Sequence, residues 1–523
     1  MQRSRSGRSV RQEYLEINLG RFAREVIYGA RLIQLLKRDD AEIYRAERRE
    51  DTSWDLFVFL PDRLQQIFDI ELEILCVATP WHELEPRIAN RIRDTVALNP
   101  RVDENFVIVV SYDPNAEKML RKRGDVAVLV LSGEELAQGG YDERGFANLM
   151  ASGLAAIDHF DVTVPVSTPG SFFGRARDLE EVRTRLSRGQ HVGVFGLRKA
   201  GKTSLLNRVG ELMRQEARPV IRVDLNQTIN NDRLFRTLTV QGLATRARES
   251  EVRMPKIRVL GQALQALDEA NVTALWLEDI NNLVDAIGRD VILVVDEIDT
   301  ITPTTGPSST QDPFAMIDAM AQLRGLIQAR EADGKRGIAV LSAGVDPSIF
   351  EKPSWEGRNN PLYLFSSLKY LQPFDREELA GMVRALGKRS GLRFDAHTLI
   401  DQLFHEYGGH PLLTRQACSW VHQHRTSRAI PYHVTGVEIQ AALDARGPNT
   451  PRSHLADVLS SFEDWFADEA TLVRFQLSEK PEGQHFVAEA IAHNPEALVH
   501  AIAYGLLTEQ YAPRMAGLRK LAA

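Results

Sequence analysis

The sequence predicts an α/β protein built around a phosphate-binding parallel sheet, with a separate α/β region before it and a helical region after it. Three observations carry this prediction. GLRKAGKTS, residues 196–204, lies between the strand-like HVGVF and the amphipathic TSLLNRVGELM. VILVVDEID is an apolar run of strand length that ends in adjacent carboxylates. From about residue 375 onward strand-like runs disappear and helical patterns continue almost to the end.

The chain has 523 residues, too many for one ordinary core, so roughly two to four domains are expected. Hydrophobic residues make up 43% and charged residues 26%, the balance of a soluble globular protein. A formal net charge of -7 argues against a surface built throughout to coat nucleic acid or anionic membrane. No apolar run approaches the roughly eighteen residues of a membrane helix. The start, MQRSRSGRSVRQEY, lacks the apolar segment of a secretory signal and reads as a disordered basic arm. Cys76 and Cys418 are the only cysteines, both in apolar contexts, which points to a reducing, cytoplasmic setting. Cys418 lies one helical turn from His422 and near His424, but no second ligand pair accompanies them, so no metal site is expected there.

Punctuating stretches divide the chain. TVPVSTPGS (163–171) reads as a linker and ARGPNTPRS (445–453) as a second boundary, whereas ITPTTGPSSTQDP (301–313) reads as a loop inside a domain. The expected domains are therefore 1–160, 170–374, 375–444 and 450–523. In the first, DLFVFL, EILCVAT, NFVIVV and VAVLVL alternate in part with helical stretches, so at least part of that sheet should be parallel. HVGVFG, PVIRVDLN, VILVVDEID and GIAVLSAG repeat the style in the second.

The central motif is G-x-x-x-x-G-K-[ST], with Gly196, Gly201, Lys202 and Thr203 at its fixed positions. Glycines permit a tight wrap whose N–H groups point inward at a helix N-terminus, forming a nest for phosphate oxygens. Lys199, Ala200 and Ser204 complete the expected nucleotide-binding stretch. Lys202 would bridge the β- and γ-phosphates of ATP, and the Thr203 hydroxyl would ligate Mg²⁺. Asp296, ending the neighbouring apolar strand, would hold the metal's hydration shell, and Glu297 would orient and polarise the attacking water. Ser342, near the C-terminal end of GIAVLSAG, would either reach the γ-phosphate or cap a turn.

SFFGRARDLEEV, the phosphate loop, VVDEID, GRNNPLYL, LKYLQPFDREEL and EYGGHPLLTRQA occur in an order that resembles the AAA+-related STAND ATPases, the signal-transduction ATPases with numerous domains. The similarity is greatest to the prokaryotic branch near archaeal-type and origin-licensing ATPases, and covers about residues 170–520. It implies a P-loop NTPase sheet followed by a helical lid. It places Gly174 and Arg175 beside the base and ribose, and Pro411 of GGHP in a lid motif near adenine. Arg415, one turn further on, would be a second sensor directed at the phosphates. Arg358, before the next strand, would be a finger reaching into a neighbour's site in a nucleotide-dependent oligomer. Many STAND proteins carry an arginine after the sensor strand, whereas LSAGVD here offers none.

The tail, FEDWFADEATLVRFQL through YAPRM, resembles the winged-helix domain that often follows the lid. Its helices carry Glu463, Asp464, Asp468, Glu469 and Glu489, the wrong sign for neutralising phosphates, so an intramolecular clamp is favoured over DNA binding. The N-terminal region is similar to restriction-endonuclease-like folds, whose nucleases need a carboxylate and an E-x-K triad on consecutive strands. Asp55 or Asp62 would be the first acid. LEILCVAT has no lysine, and Glu71 and Glu73 precede its apolar centre, so a degenerate domain that binds a protein partner or signals is expected. The expected function is an ATP-hydrolysing, Mg²⁺-dependent signalling switch. The alternatives are a DNA-binding initiator or transposition-type ATPase and a nucleotide-binding scaffold with little turnover.

Overall fold

The computed structural model describes residues 12–121, 127–141, 145–161, 169–228, 231–259, 269–303, 314–355, 357–478 and 480–522. The expected basic arm at 1–11, most of the 163–171 linker and most of the 301–313 loop lie outside the described residues. The chain divides into two units. The first takes Met1–Phe173, Arg376–Leu403 and Thr414–Ala445; the second takes Gly174–Asp375, Phe404–Leu413 and Arg446–Ala523. The stretch 375–444, expected as a lid, is shared between them.

In the first unit, β1 (Glu42–Arg48), β2 (Trp54–Phe59), β3 (Glu73–Ala78), β4 (Val102–Ser111) and β5 (Ala127–Ser132) form one sheet in that order. The first three strands pair antiparallel and the last three parallel. Helix Arg87–Leu98 makes the crossover between β3 and β4. Every residue of β3 is buried, as an unbroken apolar run covered on both faces should be. β1, at the edge, buries only Ile43 and Ala46 and carries Arg45 and Glu47, charges that discourage further strand pairing. Helix Gln12–Glu25 packs Phe22 against Trp54 with ring centroids 5.5 Å apart.

In the second unit, β6 (Val192–Phe195), β7 (Val220–Asp224), β8 (Val291–Asp296), β9 (Ile338–Gly344) and β12 (Ser367–Tyr370) form a parallel sheet ordered β12-β6-β9-β8-β7. A small hairpin, β10 (Ser354–Trp355) with β11 (Arg358–Asn359), precedes β12. β8 and β9 are buried throughout, so the centre of the sheet is covered on both faces. β6 lies between two strands that are not its neighbours in sequence. The carboxyl end of such a strand opens into a crevice where open α/β sheets bind ligands, and GLRKAGKTS emerges there.

The C-terminal segment of this unit comprises helices Pro451–Glu463, Ala467–Leu477, Pro481–His493 and Val499–Ala503, then an antiparallel bridge between Leu507 and Pro513. It is bonded to the sheet. The Tyr504 hydroxyl donates to the Val345 carbonyl just after β9, and the Gln372 amide donates to the Ala503 carbonyl. His500 sits between Glu469, at 2.6 Å, and Glu351, at 3.2 Å.

Candidate active site

All four residues of β6 are buried, and helix Lys202–Gln215 begins immediately after Gly201. The first turn of a helix leaves N–H groups without intrahelical partners, so the loop presents donors where a phosphate would sit. Gly196 begins this loop and Ser204 lies in the helix's first turn. Lys199 adopts φ +62°, an uncommon conformation for a residue with a side chain. Arg175 braces the loop, donating to the carbonyls of Ala200 at 3.2 Å and Gln372 at 2.6 Å. Lys202 is buried, and its Nζ donates to the Gly196 and Leu197 carbonyls at 2.8 and 3.0 Å. Burial lowers the lysine pKa, opposed first by Asp299 and then by Glu297 and Asp296.

Those carboxylates come from the end of β8. Asp296 accepts from the Thr203 hydroxyl at 3.5 Å and from the Arg222 guanidinium of β7, which also donates to Asn207. Glu297 follows with φ +56°, an uncommon conformation for a residue with a side chain. Burial raises its pKa, and Asp299 raises it further. Asp299, 1% exposed, accepts the Val345 N–H at 2.8 Å on Oδ2, while its Oδ1 has no hydrogen-bond partner among the described residues. On β9, Ser342 faces Gly193 of β6 and Val295 of β8, and its fully buried hydroxyl also has no partner among the described residues.

Thr203 and Asp296 suit a hard divalent cation, because a hydroxyl and a carboxylate converge there, although the Arg222 guanidinium now on Asp296 would have to give way to it. They would hold Mg²⁺.

The residues singled out for the nucleotide's other end have definite places. Gly174, at φ +63°, lies against the Phe374 ring, which would meet an added Cβ at 2.8 Å. Pro411 opens helix Pro411–His424, and just before it the Gly409 carbonyl accepts the Phe374 N–H at 2.9 Å. His410 is buried, and burial together with Arg175 lowers its pKa to about 3, which keeps it neutral. Arg415 departs from the phosphate-directed role expected of it. It belongs to the first unit, is 6% exposed, and donates to the His159 and Phe160 carbonyls at 2.7 and 3.3 Å. Arg358 lies on the β10–β11 hairpin, over the Phe314 ring and bonded to both oxygens of Asp318 at 2.6 and 2.8 Å.

Asp299 and Arg222 were not singled out from the sequence. Asp299 had a readable signal, since DEID places a third acid three residues after Asp296. Arg222 had only its position inside a strand, two residues before Asp224.

Among the described residues of the first unit, the candidate acids do not assemble into a nuclease triad. Asp55 is fully buried and paired with Arg49 at 2.7 Å and Arg91 at 2.9 Å, and the residue opposite it on β3 is Val77. Glu73, at the far end of β3, pairs with Arg101 at 2.8 Å. Asp62 opens helix Asp62–Phe68.

Residues 172–290 match the family described as Novel STAND NTPase 6. The matched segment runs from just before Arg175 to just before β8 and contains the whole phosphate loop. The chain is also similar to the Walker-type ATPase of Pyrococcus abyssi, at 13% identity and TM-score 0.46, over 69% of this chain and 99% of that one. The ORC2 protein of Aeropyrum pernix is similar at 14% identity and TM-score 0.38, over 70% and 96% of the two chains. AMPPCP-bound DnaA from Aquifex aeolicus is similar at 13% identity and TM-score 0.32, over 66% and 88%. These scores are too low to transfer a fold or an activity. No curated protein matches the chain. Among the described residues no helix is long and apolar enough to cross a membrane.

Proposed function

We propose that the chain is an ATP-hydrolysing switch of STAND type. The supporting observation is the buried lysine of the phosphate loop, whose charge is favoured by three acids at and just beyond the end of β8, Asp296, Glu297 and Asp299. In this reading the N–H groups at the start of helix Lys202–Gln215 hold the phosphates. Lys202 exchanges its two carbonyl partners for phosphate oxygens. Glu297, whose proton affinity burial has raised, orients the attacking water and draws on its proton. Mg²⁺ would neutralise developing charge on the β- and γ-oxygens when bound. Ser342 would lend a hydroxyl to the γ-phosphate, and Gly174, Arg175 and Pro411 would border the nucleoside.

The helical segments and the C-terminal segment, read as a winged-helix clamp, would carry the nucleotide state to the rest of the chain. The N-terminal domain would bind a protein partner, a reading supported by Asp55, whose carboxylate is committed to two arginines. Arg358 would serve a neighbour's site in an oligomer only after leaving Asp318, and Arg415 would sense phosphate only after leaving its two carbonyls.

Nucleotide binding and steady-state hydrolysis by the full chain test the central claim. Lys202→Ala should abolish ATP binding. Glu297→Gln should bind ATP as tightly as wild type and turn over about 10²-fold slower or worse. Wild type and Glu297→Gln hydrolysing at the same background rate would sink the proposal.

A further inference from the structure

We propose that Asp299 is a positioning residue that ties the phosphate site to the C-terminal segment through a single residue, Val345, and the hydroxyl of Tyr504. The inference rests on the ATPase reading above and names the contacts by which nucleotide state would leave the site.

Asp299 lies in the short 3₁₀ turn Ile298–Ile301 that follows Glu297. Its Oδ2 accepts the N–H of Val345 at 2.8 Å and that of Asp346 at 3.4 Å. The carboxylate therefore holds the loop leaving β9, the strand that carries Ser342. The approach is close. A Cβ on Gly344 would lie 2.7 Å from Asp299 Oδ1 and 3.2 Å from its amide nitrogen, so only glycine fits without displacement.

The Val345 carbonyl accepts the hydroxyl of Tyr504, which is fully buried. That ring is packed among Tyr370, Phe466 and Phe462, with centroids at 5.8, 5.7 and 6.3 Å. Tyr370 belongs to edge strand β12, and the two phenylalanines belong to the C-terminal segment. One backbone unit is thus bonded on its N–H side to an acid of the phosphate site and on its carbonyl side to the C-terminal segment. A shift of the Val345 backbone must drag the tyrosine or lose it.

The other oxygen of Asp299 supplies the sensitivity. Oδ1 is buried without a hydrogen-bond partner among the described residues, a costly arrangement for a carboxylate, and a balancing charge nearby is Lys202. A γ-phosphate adds negative charge beside that lysine and takes its ammonium as a ligand. Asp299 then faces an anion in place of a cation, whereas ADP leaves the site with less negative charge. The two nucleotides therefore make different demands on the same carboxylate, as any ligand that shifts a conformational equilibrium must.

The test is hydrogen-exchange protection of residues 499–507 in the full chain with saturating ADP and with a non-hydrolysable ATP analogue, alongside affinity for each nucleotide. Wild type should show different protection with the two ligands, a coupling of roughly fivefold or more. Tyr504→Phe, which removes one oxygen, should bind both nucleotides within about twofold of wild type but lose that difference. Asp299→Asn, which keeps the shape and removes the charge, should lose it too. Loss of a merely structural contact would lower protection equally with both ligands and leave their ratio intact, and that result overturns the relay. Full retention of the difference by Tyr504→Phe overturns it as well. If wild type binds both nucleotides with no difference in protection, the switch reading fails along with the relay.

Discussion

A carboxylate removed from water must be neutralised, and Asp55 has two guanidiniums to do so. Breaking such a buried group from one side leaves uncompensated charge. Asp55→Ala, which leaves two partly exposed arginines that water can reach, should therefore destabilise the first unit by about 1–3 kcal/mol, read by chemical denaturation. Asp296 and Glu297 were legible because an apolar strand ending in acids is a local pattern. Asp299 was half legible, since its spacing is in the sequence but its partner, Val345, lies on another strand. Arg415 shows the opposite failure: one helical turn after Pro411 fixes where it stands on a helix, and says nothing about the His159 and Phe160 carbonyls that hold it.

At the level of elements, strands were easiest to read, because β8 and β9 are buried on both faces and so are continuously apolar. The phosphate loop was equally plain, its residue types being fixed by backbone geometry. The reason for the second glycine of GGHP is tertiary. Gly409 has φ +86°, and a Cβ there would lie 2.0 Å from the Phe374 carbonyl oxygen. Gly409→Ala should cost about 1–3 kcal/mol from the backbone conformation alone, with the clash added. Chemical denaturation should show it, whereas Gly381→Ala, on an open helix face, should be near neutral or stabilising. The division of helix Pro411–His424 between units after Leu413 could not be read, since periodicity reports that a face is covered without naming the cover.

At the scale of the whole second unit, His500 joins the C-terminal segment to the sheet. Burial alone would lower its pKa, but hydrogen bonds and charge from Glu351 and Glu469 outweigh this and raise it to about 9 from a reference of 6.5. A raised folded-state pKa contributes stability that is complete below 6.5 and lost as pH climbs through about 9. Protection of residues 499–507 against hydrogen exchange, corrected for the intrinsic rate, should fall across that window. In His500→Gln the fall should vanish. An unchanged pH profile in the variant would remove His500 from the account.

The alternation of segments between the two units has a consequence for how the molecule is made. The chain passes from one unit to the other at 173/174, 375/376, 403/404, 413/414 and 445/446. Domains ordinarily complete themselves in turn as a chain leaves the ribosome. Here the first unit must wait for residue 445, by which time all but the last segment of the second has emerged. No single cleavage separates the two units, and a chain that stops short of residue 445 leaves both unfinished.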